Sequence, residues 1–341
     1  MTQHDGADQG GGRLGKRLSL IVLILLATGA FFWWRAHRQE PAAQGVGAAL
    51  VVGDQRGGIQ ALLKAAGELD DVPYRIDWAL FPAASPLLEA LGSGAIDLGG
   101  VGGAPFAFAY ASGAPIKAVF AFRFMDGTGS RASAIVVRRA SAIRSVADLR
   151  GRRLATVRGS AGQNLALRLL ERAGVAPGDV KWVYLNNGEA KAALASGAID
   201  AWSTWGSYVG IALLEDQERA LADGANLSAE AGFYAASDQA IATKRAQLLD
   251  FLKRTARARA WAQTHQDEYA RVLAQETGLP LNVARFTVRE SQTEVIPVDN
   301  SLQADQESIL ERYRRAGVIP NAPNLAGAFD SSFNEVTATA E

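Results

Sequence analysis

Apolar and polar positions recur along this chain as a repeating block: a short apolar run, a turn containing glycine, then a stretch with helical spacing. Ala48 to Gly53 is the first apolar run and predicts a strand. Asp54 to Gly58 is the turn out of it, and Leu62, Leu63 and Ala66 give residues 59 to 69 a helical face. Tyr74 to Leu80 predicts a second strand. Pro86 suits a helix's first turn, with Leu87, Leu88, Ala90 and Leu91 as its apolar side and Gly92 or Gly94 as its stop. Ala95 to Leu98 then predicts a short buried strand, and Gly99 to Pro105 a glycine-rich loop that feeds a helix at Phe106. The pattern continues with strands over 115 to 122 and 132 to 137, and a short capped helix over 145 to 151. Beyond it come a strand over 153 to 157, a helix over 165 to 173, a strand over 180 to 185 and a helix over 188 to 194. From Arg245 onward the spacing is mainly helical, over 248 to 263, 267 to 277 and 301 to 316.

Strands alternating with helices predict an α/β fold. An internal echo divides it in two: Ser93 to Asp97 and Ser196 to Asp200 both read SGAID. Two similar lobes at the edge of a shared crevice account for such a repeat. The aspartate of each copy is expected to stabilise its turn rather than touch a ligand. The block restarts near Arg138, and Phe233 to Ala236 can carry the chain back. The expected lobes are therefore 48–137 plus 236–333, and 138–235.

The turns carry the candidate chemistry. Strand, bare-backbone loop and helix in succession leave N–H groups facing a cleft, which suits an anion. Three loops qualify: Gln55, Arg56, Gly57 and Gly58; Gly102, Gly103, Ala104 and Pro105; and Ser160, Ala161, Gly162, Gln163 and Asn164. For each a plain structural role stands beside the functional one. Arg56 pairs with an anion or is solvated, and Ser160 is a helix N-cap, an oxyanion donor or both. Trp202 and Trp205 line a ligand or fill a lobe core. Lys253, Arg254, Arg257 and Arg259 read as a solvated helix face.

Bulk properties narrow the classes. The 341 residues carry 35 basic and 35 acidic side chains; residues 1–45 hold five and three of them, leaving 30 against 32 in the folded part. That balance disfavours a nucleic-acid partner. With no cysteine, and with His4, His37 and His265 as the histidines, a thiolate nucleophile is excluded and a His-based triad or multi-histidine metal site nearly so. No cofactor is expected. Residues 18–34 form an uncharged apolar run behind a polar segment, 1–17, that ends in Arg13, Lys16 and Arg17; residues 35–47 form a linker. A run of that length leans toward a membrane anchor over a cleaved export signal.

These residues resemble the periplasmic substrate-binding proteins of ABC importers for aliphatic sulfonates, taurine and nitrate, with the alkanesulfonate branch nearest. The resemblance rests on GDQRGG at 53–58, FPAASPLLEALGSGAIDLGGVGGAP at 81–105, VADLRGRRLATVRGSAGQNLALRLL at 146–170 and GAIDAWSTWGSY at 197–208. It implies a two-lobed periplasmic-binding-protein fold (type II), with two hinge crossings, closing on a small organic anion. It also implies delivery to an ABC permease with its ATPase, action outside the cytoplasmic membrane, a monomer, and no catalysis. The three loops would hold the anion, and Trp202, Trp205 and Tyr234 the organic tail. Where the family often has Thr-Gly-Asp this chain has Val101, Gly102 and Gly103, and where it often has Trp-Asp this chain has Trp205 and Gly206. Losing both carboxylates makes an uncharged tail a better match than taurine's amine. A membrane-tethered sensor, and an enzyme resembling the pyrimidine-synthesis proteins, are the alternative classes.

Overall fold

The computed structural model describes residues 49–125, 130–322 and 324–339. The expected segments 1–17, 18–34 and 35–47 lie outside the described residues. In chain order the first part holds β1 (Leu50–Gln55), α1 (Gly58–Ala65), β2 (Ile76–Phe81), α2 (Ala84–Gly92), β3 (Leu98–Gly102), α3 (Gly103–Ala111) and β4 (Ile116–Phe124). The middle holds β5 (Ser133–Val137), β6 (Arg153–Thr156), α4 (Ala161–Arg172), β7 (Lys181–Tyr184), α5 (Asn187–Ser196), β8 (Ala201–Trp205), α6 (Ser207–Gly210) and β9 (Arg219–Asp223). The last part holds β10 (Gly232–Ser237), α7 (Asp238–Thr243), α8 (Arg245–Thr264), α9 (Gln266–Thr277), α10 (Leu281–Glu290), β11 (Thr293–Ile296) and α11 (Asn300–Arg315).

Two mixed sheets result, ordered β11-β4-β10-β3-β1-β2 and β7-β6-β8-β5-β9. Helices cover both faces of each, as buried parallel strands require. In β10 the side chains alternate: Phe233 and Ala235 enter the core formed with α2, α3 and α11, while Tyr234 and Ala236 enter the one formed with α1 and α8. The same alternation in β8 sends Ala201 to one side of the second sheet and Trp202 to the other.

The structure moves two expected boundaries. Strand β5 pairs with β8 and β9, so residues 133–137 belong to the second sheet and the first crossing precedes them. Strand β10 pairs with β3 and β4, so the return to the first sheet is complete by Gly232. A period-two apolar run gives a strand but not its partner, which is why neither could be placed from the pattern.

The glycine run also changes identity. Gly99, Gly100 and Gly102 lie within β3, between β1 and β10, while residues 95–97 form the turn. The cause is close packing: a Cβ on Gly99 would stand 2.6 Å from Leu87 Cδ2, and one on Gly100 2.9 Å from Ile59 Cδ1. Helices α2 and α1 thus lie directly on bare backbone.

The SGAID echo is a repeated strand-edge device. Asp97 accepts the Val51 N–H at 2.7 Å while its own N–H reaches the Val51 carbonyl at 2.8 Å. Asp200 does the same with Arg153 at 2.8 and 2.9 Å. Each carboxylate has a cation, Lys244 Nζ at 2.6 Å and Arg153 Nη2 at 2.9 Å.

Candidate functional site

The carboxyl ends of β1, β3, β6 and β8 open onto one cavity of ≈ 460 Å³ between the sheets. Clefts at strand carboxyl ends are where open α/β folds bind ligands, because helices begin there with unpaired N–H groups.

Two helix starts meet on the wall of this cavity. Gly102 precedes α3 with no side-chain cap, and α4 starts behind Ser160. A Cβ on Gly102 would lie 3.8 Å from Ala161 Cβ. Ser160 is a true N-cap: its Oγ accepts the Gln163 N–H at 3.2 Å and donates to the Val157 carbonyl at 2.6 Å. Gly102, Gly103, Ala104, Pro105, Ser160 and Ala161 all line the cavity.

The first loop is different. The N-terminus of α1 already holds a carboxylate, since Asp54, fully buried, accepts the N–H groups of Ile59 at 3.1 Å and Gln60 at 2.8 Å. Burial pushes its carboxyl above the ordinary value, against the opposing pull of the Gln60, Ile59 and Gly58 N–H donors. Gln55 spends its amide on the Gly100 carbonyl at 2.8 Å. Arg56 lies in the left-handed region at φ 59 and spreads its guanidinium over the Tyr208 ring, 4.4 Å from the centroid. Gln55, Arg56 and Gly58 line the cavity; Gly57, at φ 78, serves the turn and does not.

Three residues of the third loop also turn away. A Cβ on Gly162 would meet the Ser203 carbonyl at 2.7 Å, so this glycine packs on β8. Gln163, fully buried, accepts the Gly159 N–H at 2.7 Å and donates to Tyr184 OH at 3.0 Å. Asn164 donates to Glu230 at 2.7 and 2.6 Å and accepts from Arg312 at 3.1 Å. These side chains brace the loop rather than face the cavity.

Of the two indoles, Trp205 lines the cavity and Trp202 does not: Trp202 is fully buried in the lobe core with Leu194 and Val209. Strand alternation decides this, because three positions separate the two rings onto opposite faces. Tyr234 lines the cavity although it is buried, and burial pushes its hydroxyl upward.

Several lining residues escaped the pattern, among them Tyr208, Arg168, Glu230 and Arg259. Arg168 pairs with Glu230 at 3.0 Å. Arg259 overturns the reading of its helix face as solvated, for it donates to Thr293 Oγ1 at 2.6 Å and to Tyr234 OH at 3.4 Å inside the cavity. Gly206 also lines it, at φ 62, and a Cβ there would meet nothing within 4 Å.

Comparison with known proteins adds the lineage. The NMT1/THI5 like family profile matches residues 80–269. The chain belongs to the NMT1/THI5-like family. An Escherichia coli (strain K12) protein named for aliphatic sulfonate binding is 33% identical over 288 residues, covering 83% of this chain and 89% of that protein. The alkanesulfonate-binding protein SsuA from Xanthomonas axonopodis pv. citri, solved bound to MOPS, superposes with TM-score 0.75 at 30% identity over 84% of this chain and 99% of that one. The periplasmic aliphatic sulphonate binding protein SsuA from Escherichia coli gives 0.71 at 32% over 82% and 90%. Within this family the chain has the two-sheet periplasmic-binding-protein fold, and these relatives are named for binding rather than catalysis.

Proposed function

We propose that this chain is the solute-binding receptor of an ABC importer, which captures an aliphatic sulfonate between its lobes and delivers it to a permease driven by an ATPase. One observation carries the reading: the starts of α3 and α4 come together on the wall of a cavity that Arg56 also lines. Two sets of N–H groups and a cation suit a compact oxyanion, while Trp205, Ile59 and Phe122 can cover hydrocarbon. The names of the relatives, and the sulfonate-bearing MOPS held by one of them, support the same class.

Binding without catalysis follows the relatives, which are named for binding. The receptor is read as a monomer on the periplasmic side of the cytoplasmic membrane, tethered through residues 18–34. Among the described residues no helix is long and apolar enough to cross a membrane, so the tether rests on that segment's composition.

A thermal-shift panel tests the ligand class: alkanesulfonates should stabilise the protein more than taurine. Stabilisation by sugars or amino acids with none by sulfonates would overturn it. Native mass spectrometry of protein from its own cells identifies the ligand directly. A mature N-terminus near Phe31 or Gln44 in a soluble fraction would refute the tether, and a neighbouring permease and ATPase gene separates import from sensing.

A further inference from the structure

Of the four cationic residues Lys253, Arg254, Arg257 and Arg259 on α8, three are ion-paired. Lys253 reaches Glu335 at 3.7 Å, Arg254 reaches Asp250 at 2.8 Å and Arg257 reaches Glu68 at 2.6 Å. Arg259 has no carboxylate within ion-pair distance among the described residues, yet it faces the cavity. Its guanidinium carbon stands 3.8 Å from the Phe122 ring centroid and 5.5 Å from that of Tyr234. Thr293 and Tyr234 accept two of its N–H bonds, and its buried Nε has no partner.

Guanidinium stays charged at any physiological pH, so withdrawing it from water is unfavourable unless an anion or its equivalent is supplied. Two aromatic faces and two neutral hydroxyls supply part of that. The carboxylates that line the cavity do not supply the rest: Asp54 is held by the N-terminus of α1, and Glu230 by Arg168 and Asn164. Apolar wall from Tyr269, Leu273 and Val288 lines the same cavity. The cavity therefore offers a charged fork in addition to the helix starts of α3 and α4, with hydrocarbon-compatible surface in its lining.

We propose that Arg259 is a second oxyanion seat and that the ligand is two-headed, a sulfonate joined by a short apolar spacer to a carboxylate or similar group. This rests on the sulfonate reading of the helix-start seat. A planar carboxylate can take two parallel N–H bonds from the guanidinium, which a plain alkyl end cannot.

Calorimetry with the intact protein tests it, using butanesulfonate, sulfobutanoate and glutarate on the wild type, Arg259→Gln and Arg259→Lys. The wild type should bind sulfobutanoate about 10- to 100-fold more tightly than butanesulfonate, the size of one charged hydrogen-bonded contact. Arg259→Gln should bring that ratio to about one, and Arg259→Lys should keep part of it. Equal binding of the two sulfonates by the wild type overturns the second seat and leaves the sulfonate reading standing; this comparison needs no variant to fold. An unchanged ratio in Arg259→Gln overturns it likewise. Glutarate binding lost in Arg259→Gln, with no sulfonate bound by any form, would keep the seat and overturn the sulfonate reading. Binding of none of the three overturns both.

Discussion

Replacing Ser160 separates a cap from a ligand contact. Its Oγ makes two bonds in the structure, one from the Gln163 N–H and one to the Val157 carbonyl, and the residue is 4% exposed. Ser160→Ala removes the cap, for about 1 kcal/mol. The Val157 carbonyl keeps the Ser160 N–H at 3.3 Å, so the second loss is smaller than a full unpaired acceptor. Together they amount to about 1 to 2 kcal/mol without ligand, a fall of roughly 2 to 8 °C in Tm. Ser160→Gly lacks the hydroxyl too, but glycine at an N-cap costs only a few tenths of a kcal/mol. An oxyanion that recruits the hydroxyl takes it from the Val157 carbonyl, so the net gain is an exchange of about 1 to 2 kcal/mol, or roughly 5- to 30-fold in Kd. Calorimetry with an alkanesulfonate should give both variants the same affinity loss, while differential scanning calorimetry separates their stabilities. Unchanged affinity in both would refute the hydroxyl contact, and affinity losses that follow the stability losses would refute the separation.

Other substitutions probe the remaining parts. Gly206→Asp places a carboxylate in open cavity space, at a strain of roughly 1 to 3 kcal/mol from its positive φ; the thermal-shift ranking should move from alkanesulfonates toward taurine. Arg56→Gly relieves the left-handed arginine at φ 59 and should raise apo stability by up to about 1 kcal/mol in chemical denaturation while weakening sulfonate binding in calorimetry. Asp200→Asn tests the echo. Its side-chain and backbone bonds to Arg153 hold the Asp200 carboxyl below its ordinary value, so its stabilisation is present above the usual carboxylate range and is lost as pH falls through the lowered value. Urea unfolding of wild type and variant should therefore differ at neutral pH and converge in acid; a gap that is constant with pH would refute the ion-pair account.

What was legible follows from the range over which each signal acts. Most strand, turn and helix blocks read correctly because periodicity is local, although β9, α10 and β11 went unread, and the SGAID echo exposed two equivalent strand edges because Asp97 and Asp200 bond the backbone beside their own turns. The glycine run misled because glycine marks close approach as readily as a loop; only Leu87 and Ile59, packed from two helices, reveal which. Trp202 and Trp205 could have been separated, since three positions along a strand reverse the face, but that requires knowing where β8 ends. Arg259 could not have been found. Its neighbours Arg254 and Arg257 meet Asp250 and Glu68, and nothing in the spacing distinguishes it from them; only Phe122, Thr293 and Tyr234, brought from β4, β11 and β10, do so. Glycine-rich turns that lead into helix starts are thus visible in composition, whereas a side chain whose role depends on missing a partner is visible only when all of its neighbours are in place.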